Sequence, residues 1–439
     1  MRGHRNAALR RRYEAHVGPA ARRWHLGKPM APHYRSCTGP MKKGAWRMKS
    51  LSSLLLVSLS IAVTAPAAAR PRTPVAAWPG VSDVLLNLAV AASVAATPVA
   101  AWPNDSEQPG SVLVYPKFIR GTFADPFVTG QTAQARTELE ISVVCPKDAT
   151  CEANQAVRLR AHWVCPGSST NPICPEASFD LETTVGGTLY FNPEGVVVVA
   201  GVITANAFPS NATTTIPLPP CDKGYLIVWA IDGNDTAIKF DGLIGDGILR
   251  DGTDGFPWIS GRGYNAIPIQ AGDGVVSTGD PTDLNGDGHL DFDGNEYQMI
   301  TGTIFGTVRY ENLTTAPEGP VETDLTLLTL DVASNRPNPL TSVGLNFFTT
   351  GEDLHDAGTS FYCWKEQRLT DILASLTTQV MGRKGLLQSY FAEQNGAPVT
   401  LLGIIETKEF YRLAPSVISR DYAYSLFNDS DPVATTFQP

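Results

Sequence analysis

The chain has 439 residues, 43% of them hydrophobic, and a formal net charge of −9. The first 69 residues hold 13 of the 34 Lys and Arg residues and one of the 43 acids, so the remainder carries 21 basic and 42 acidic residues, a net charge near −21. A surface this acidic repels phosphate backbones, which argues against nucleic acid as a partner. It suits an exported protein and the binding of cations.

The N-terminal segment has the features of a secretory leader. A positively charged stretch precedes an apolar run at 51–63, and Ala67–Ala69 supplies an A-x-A cleavage site. We therefore expect a bacterial-type signal peptide at 48–69, within a leader of residues 1–69, and no membrane-spanning segment once it is cleaved. Because a signal peptide begins a chain, residues 1–40 are expected to be a mis-assigned extension; a basic organelle-targeting arm is the alternative.

Residues 70–107 have the composition of an Ala/Pro-rich linker. The sequence TPVAAWP occurs in it twice, at Thr73–Pro79 and Thr97–Pro103. Two copies cannot stack into a repeat fold, so we predict a spacer.

From residue 108 onward the chain predicts a mainly β fold. Short runs rich in Val, Thr and aromatic residues alternate with turn sequences, which is typical of an antiparallel β-sandwich. In the run VRLRAHWV at 157–164, every second residue from Val157 to Trp163 is apolar, which predicts a half-buried strand with His162 on its polar face. The Gly- and Asp-rich stretch 241–254 predicts a loop with one helical turn, and a weaker second calcium site is considered there.

We expect two β-rich lobes, at 108–275 and 297–437, with a calcium-binding loop at 276–296 between them. One large sandwich with this loop as an insertion is the other layout. One or two short helices are expected in the C-terminal lobe, the first near 366–381 and the second, or a strand, at 385–392. The apolar residues that share one face of the first helix are Leu369, Ile372, Leu373, Leu376, Val380 and Met381.

The stretch from Asp283 to Glu296, DLNGDGHLDFDGNE, specifies a chemistry by residue type and spacing together. Oxygen-bearing side chains stand at alternate positions, and Gly288 follows where the loop must turn. A hard, flexible cation such as Ca²⁺ takes six to eight oxygen ligands, whereas Mg²⁺ would be overcrowded by so many carboxylates. The candidate ligands are Asp283, Asn285, Asp287, His289 through its backbone carbonyl, Asp291, Asp293 and Glu296.

Over about a dozen residues this stretch resembles the calcium loops of EF-hand and dockerin-type proteins. The resemblance implies a structural calcium ion as the cofactor. The twelfth position, an acid in those loops, is Gly294, so that Asp293, Glu296 or water must complete the ligand shell. The preceding segment carries three Gly and a Pro, which rules out the flanking helix of an EF-hand. The simpler interpretation is a solvated Gly/Asp-rich turn.

Six cysteines follow the leader: Cys145, Cys151, Cys165, Cys174, Cys221 and Cys363. An even number in an exported chain predicts disulfide bonds, and six cysteines allow 15 pairings. Short spacing favours Cys145–Cys151 and Cys165–Cys174, which leaves Cys221 to pair with Cys363. There is no C-x-x-C pair, so zinc is disfavoured.

Residues for catalysis are sparse. His355 lies beside Asp356 and near Ser360, but neighbours on one short segment rarely converge into a hydrolytic triad. Two carboxylates would suffice for a glycosidase, yet no pair stands out among the abundant acids, of which Glu138, Glu140, Glu352 and Asp353 are examples. Trp258, in the Gly-rich sequence DGFPWISGRGY, is the best candidate for stacking on a sugar ring.

The strands, the paired cysteines and the stretch LDVASNRPNPLTSVGLNFF at 330–348 resemble exported bacterial β-sandwich proteins. This likeness implies no site residues. Together the observations favour an exported, non-catalytic calcium-binding protein, secreted, on the cell surface or in the periplasm, that serves as a surface, matrix or adhesion component. Its expected partners are cell-surface or extracellular matrix components or glycans. The alternative is a secreted carbohydrate-active enzyme or sugar-binding module.

Overall fold

The structure, a computed structural model, describes the C-terminal three quarters of the chain with gaps. The described residues are 108–124, 132–147, 149–191, 202–208, 213–253, 256–272, 281–282, 286–312, 320–331, 340–413, 416–428 and 432–438. All of them belong to the compact unit Asp83–Pro439. The predicted signal peptide and the linker lie outside the described residues, and the division into lobes at 108–275 and 297–437 stays a prediction.

The first half of the described chain is built from strands. They are β1 (Val112–Ile119), β2 (Gly121–Ala124), β3 (Thr132–Val143), β4 (Ala156–Val164), β5 (Glu176–Thr184), β6 (Thr188–Phe191), β7 (Val202–Phe208), β8 (Thr213–Pro217), β9 (Lys223–Ile231), β10 (Leu243–Thr253), β11 (Phe256–Asn265) and β12 (Ile267–Ile269).

The second half adds further strands and two helices of one turn each. They are β13 (Leu290–Phe292), β14 (Ile300–Thr301), β15 (Ile304–Arg309), β16 (Val321–Leu328), β17 (Leu340–Thr349), β18 (Leu354–Tyr362), β19 (Trp364–Arg368), α1 (Leu369–Ile372), α2 (Thr378–Met381), β20 (Lys384–Gln394), β21 (Ala397–Pro398), β22 (Leu402–Leu413), β23 (Ser416–Ser425), β24 (Phe427–Asn428), β25 (Pro432–Val433) and β26 (Thr435–Phe437).

The named strands form four main sheets, all antiparallel. Sheet 1 has the order β12-β1-β9-β4-β5, and sheet 2 has the order β11-β10-β3-β6-β7-β8, with β2 beside β3. Sheet 3 has the order β18-β17-β20-β15-β24, and sheet 4 has the order β19-β16-β22-β23. Two further pairs, β13-β26 and β14-β25, attach the C-terminal residues to the middle of the chain. The prediction of a mainly β, antiparallel fold with short helices in the C-terminal half is confirmed.

Three clusters of buried apolar side chains hold these sheets together. The first lies between sheets 1 and 2, where Leu159 and Trp163 of β4 meet Leu139 and Ile141 of β3. The second lies between sheets 3 and 4 and includes Val343 and Leu345 of β17 with Leu325 of β16. Because side chains alternate across a strand, each sheet can bury a second face as well.

The third cluster, here called the junction cluster, uses the opposite face of sheet 1. It brings Tyr225 and Trp229 of β9 together with Leu290 and Phe292 of β13 and Phe437 of β26. The cluster also contains residues of sheet 4, namely Leu328 and Leu402. Apolar contacts therefore connect the first half of the chain to the second.

Burial on both faces of sheet 1 corrects the prediction for His162. The alternating residues of β4 are buried as expected, but His162 on the other face is also only 5% exposed. Its ring stacks on Trp229, with centroids 4.9 Å apart, and meets the edge of Phe437 at 5.8 Å. The sequence of β4 alone could not show that a second layer covers its polar face.

Two local predictions are wrong. The stretch 241–254 does not form a helical turn, because most of it is β10, which pairs with β3 along its whole length. The helix expected near 366–381 is instead two single turns, α1 and α2, separated by a non-helical stretch that begins at the extended residue Leu373. The backbone between the two helices bonds Glu311 instead: Glu311 N donates to Leu376 O at 3.3 Å, and Thr378 N donates to Glu311 O at 2.7 Å.

The apolar residues at helical spacing are still used in the core, since Leu369, Leu376 and Met381 are buried. The segment 385–392 is part of strand β20, which was the alternative to a second helix.

Three disulfide bonds link the six cysteines. Cys145–Cys151 is the local bridge that the spacing predicts. The other two are Cys165–Cys221 and Cys174–Cys363, so the predicted pairs Cys165–Cys174 and Cys221–Cys363 are wrong. Sheet pairing decides this, because β4 lies beside β9 and brings Cys165, which follows β4, next to Cys221, which precedes β9. Three disulfides indicate folding in an oxidising environment.

Candidate calcium site

The described part of the predicted calcium loop begins at Gly286, and Asp283 and Asn285 lie outside the described residues. Gly288 has a φ of +78°, the left-handed conformation that the loop motif needs at this position. Asp287 supports the turn, since its Oδ1 accepts a hydrogen bond from His289 N at 2.9 Å. The His289 ring lies beside the same carboxylate, with Nδ1 3.3 Å from Asp287 Oδ2. The described half of the loop thus has the turn geometry of the motif.

The loop leads directly into strand β13, which is anchored on both sides. Leu290 and Phe292 are buried in the junction cluster. Between them, Asp291 points its carboxylate toward the C-terminal strand, where Thr436 Oγ1 donates to Asp291 Oδ1 at 2.6 Å. Since β13 and β26 also pair through their backbones, the ninth position of the loop is fixed by the last strand of the chain.

The structure separates the roles of the two acids that could replace the missing twelfth ligand. Asp293 caps its own turn: Oδ1 accepts hydrogen bonds from Asn295 N at 2.8 Å and from Glu296 N at 3.2 Å. Burial opposes ionisation of this carboxyl, but the hydrogen bonds from Asn295 and Glu296 prevail and lower the pKa of Asp293.

The Glu296 side chain is directed at the loop rather than at solvent. It is only 3% exposed, and its Oε2 accepts a hydrogen bond from Asp291 N at 3.3 Å. A buried carboxylate beside the ninth position of the loop can contribute oxygens where Gly294 has none. No group of three or more His, Cys, Asp or Glu side chains suited to a metal occurs within the described residues, from which Asp283 is missing.

A second cluster of charged residues, which the sequence did not reveal, lies between the two halves of the chain. This ion network consists of Lys117, Lys223, Arg262, Asp324, Glu366 and Glu406. Lys117 on β1, 2% exposed, forms ion pairs with both Glu366 on β19 and Glu406 on β22. Arg262 Nε donates to Glu406 Oε1 at 2.7 Å, and Lys223 pairs with Glu366. Cations from sheets 1 and 2 are thereby matched to carboxylates from sheet 4.

The ionisation of the network follows from burial and from these pairs. Burial alone would lower the pKa of Lys117, but Glu366 and Glu406 raise it above its ordinary value. Burial likewise opposes ionisation of Glu366, but Lys117 and Lys223 hold its pKa well below the usual range. Lys117, Glu366 and Glu406 are therefore charged at neutral pH, and the Arg262 guanidinium is always protonated.

Asp324 behaves differently from the other acids of the network. It stands opposite Glu406 in the register of sheet 4. Burial raises the pKa of the Asp324 carboxyl to about 7, a rise that Lys408 opposes and Glu366 and Glu322 assist. Because Asp324 is only 8% exposed, we interpret it as part of the packing between the halves rather than as a catalytic acid.

The remaining residues singled out by the sequence do not converge. Along β18, alternate residues face opposite ways, so His355 lies on the face opposite to Asp356 and Ser360, and the three cannot form a triad. Glu138, only 12% exposed, pairs with Arg136 at 3.2 Å and Arg250 at 2.8 Å, so its charge is balanced by two arginines. Glu352 and Asp353 occupy an exposed turn between β17 and β18. The backbone of Trp258 lies in β11, but its side chain is outside what the structure describes.

No protein-family model and no curated protein matches the chain. In the part of the chain that the structure describes, neither helix has the length and apolar character needed to cross a membrane.

Proposed function

We propose that the chain is an exported, non-catalytic protein of the cell surface or extracellular matrix, and that a calcium ion bound at 283–296 stabilises its fold. The observation that carries the proposal is the position of Glu296 beside Asp291. Asp291 lies in β13 and accepts a hydrogen bond from Thr436 of β26. A cation here would neutralise acids that otherwise repel one another. It would also fix β13 and, through Leu290 and Phe292, the junction cluster.

The sheet architecture admits two interpretations under this proposal. The apolar clusters between sheets 1 and 2 and between sheets 3 and 4 support two β-sandwich lobes. The presence of four main sheets suggests instead the blades of a four-bladed β-propeller. In both interpretations the calcium loop lies next to the junction cluster, so its proposed stabilising role is the same.

The test is a calcium titration of the full chain by calorimetry, combined with thermal unfolding. We expect saturable binding that is weakened at least about tenfold in Glu296→Gln and in Asp287→Asn, because each removes a charged ligand. Calcium should raise the melting temperature, since a ligand that binds only the folded state stabilises it by mass action.

The matched control is Asp353→Asn, which removes an exposed acid from a turn outside the loop and should leave calcium binding unchanged. Equal melting temperatures in excess calcium and in excess chelator would refute the structural role. Absence of any binding would refute the site itself and leave the loop as a hydrogen-bonded turn.

The sequence-based alternative, a carbohydrate-active enzyme or sugar-binding module centred on Trp258, stays a prediction.

A further inference from the structure

Exposed aromatic side chains are concentrated on the outer face of sheet 3, the face turned away from sheet 4. Tyr390 and Phe391 of β20 are 51% and 36% exposed, and their rings form an edge-to-face pair with centroids 5.0 Å apart. Phe305 of β15 is 38% exposed. Exposed aromatic residues in such proximity mark a surface that binds something.

The two rings of β20 are supported by the neighbouring strand. A Cβ atom at Gly344 of β17 would lie 2.4 Å from ring atoms of both Tyr390 and Phe391. Only glycine therefore leaves room for the rings over β17. Gly358 of β18 is paired with Gly344, so a strip without side chains continues beside the rings. The rings are thus held against the sheet while they remain accessible to solvent.

Hydrogen-bonding side chains lie next to these rings. Asp356, Asn346 and Gln388 occupy consecutive register positions across β18, β17 and β20, and Phe305 of β15 stands opposite Gln388. Within the described residues, the side chains of Asp356 and Asn346 make no hydrogen bond or ion pair with the protein. Phe305 and Tyr390 are diagonal neighbours on this face, at a spacing of about 7–8 Å.

We infer that this aromatic face, made of Phe305, Asn346, Asp356, Gln388, Tyr390 and Phe391, binds a neutral polysaccharide. A sugar ring presents C–H groups that pack on an aromatic ring and hydroxyl groups that bond with amide and carboxylate oxygens. Two aromatic side chains at diagonal positions can contact successive sugars of one chain, while Asn346 and Asp356 bond their hydroxyls.

The charges select the occupant. Asp356 is the one member of the aromatic face with a formal charge at neutral pH, so an acidic glycan would be repelled and a neutral one would not. A second copy of the chain fits poorly, because it would bury Asp356 and the Asn346 amide without providing for their hydrogen bonds. The inference does not depend on calcium.

Affinity electrophoresis of the full chain tests the inference, with native gels that contain xylan, laminarin, hydroxyethyl cellulose or dextran. We expect retardation by at least one of these polysaccharides, also in excess chelator. Tyr390→Ala and Phe305→Ala should each weaken the binding about three- to tenfold, the range expected for loss of one stacking contact. Both side chains are exposed, so neither truncation should prevent folding, which circular dichroism would verify.

Tyr190→Ala is the matched control, since Tyr190 is also an exposed aromatic residue but lies on sheet 2; this variant should bind like the parent chain. Trp258→Ala distinguishes the aromatic face from the site considered on sequence grounds. Failure of all four polysaccharides to retard the chain would overturn the inference. Binding that survives Tyr390→Ala and Phe305→Ala but is lost in Trp258→Ala would overturn it as well.

Discussion

At the scale of single residues, Asp324 shows how burial changes the chemistry of a carboxyl group. Burial raises the pKa of the Asp324 carboxyl from 3.8 to about 7, and the nearby Glu366 and Glu322 assist the rise. Between pH 3.8 and pH 7 the folded state therefore keeps this proton, whereas the unfolded state has released it. The contribution of this group to folding stability is complete below pH 3.8 and is lost as the pH rises through 7.

Because ionisation of Asp324 destabilises the folded state, its replacement by Asn should stabilise the chain at high pH. The amide cannot ionise, so the variant should gain stability over the parent chain at pH 8, by at most about 4 kcal/mol. At pH 5 the gain should be smaller, about 1.6 kcal/mol, because the unfolded parent chain has already released this proton while the folded acid still holds it. Urea denaturation at both pH values measures the difference, with Asp353→Asn as the exposed control. An equal effect of Asp324→Asn at pH 5 and pH 8 would contradict the raised pKa.

At the scale of elements, the short pair β13-β26 contains two threonines in contrasting surroundings. Thr436 donates its hydroxyl to Asp291, whereas the hydroxyl of the adjacent Thr435 is buried without a hydrogen-bond partner among the described residues. A buried polar group without a partner costs free energy, and an apolar replacement of the same shape does not.

The two threonines provide a matched pair of substitutions. Thr436→Val should destabilise the chain by about 1 kcal/mol, because it removes a hydrogen bond to a carboxylate. Thr435→Val should be neutral or stabilising, since both residues are β-branched and suit a strand equally. Thermal unfolding in the presence of calcium compares them. If the two variants melted at the same temperature, the bond from Thr436 to Asp291 would contribute nothing to the attachment of β26.

The elements also show what a sequence can and cannot predict here. Alternation identified the buried face of β4, because side-chain direction is a local property. Nothing in the sequence around Glu406 and Asp324 distinguishes a buried charged group from one on a solvated strand face. In the folded chain Glu406 pairs with Lys117 and Arg262, which are 289 and 144 positions away. The loop at 283–296 could be proposed from the sequence because the spacing of its oxygen-bearing residues is local, and calcium binding there stays a prediction.

At the scale of the whole molecule, three kinds of interaction connect residues before the calcium loop to residues after it. The junction cluster does so by apolar burial. The ion network does so by matched charges, since Lys117 and Arg262 pair with Glu366 and Glu406. The disulfide Cys174–Cys363 does so covalently, from the segment before β5 to the segment between β18 and β19. Calcium bound at the proposed site in 283–296 would add to the junction cluster, the ion network and the disulfide in connecting the two halves.

The stabilisation by the long-range disulfide can be compared with that by the local disulfide. Cys174–Cys363 spans 189 positions and Cys145–Cys151 spans 6. In the chain-entropy model a crosslink stabilises by restricting the unfolded chain, and the effect grows with the logarithm of the loop length. The double variant Cys174→Ser/Cys363→Ser should therefore lose about 5 kcal/mol of unfolding free energy, and Cys145→Ser/Cys151→Ser about 2 kcal/mol. Guanidinium denaturation of both variants measures the losses. Equal losses would show that the long-range disulfide restricts the unfolded chain no more than the local one.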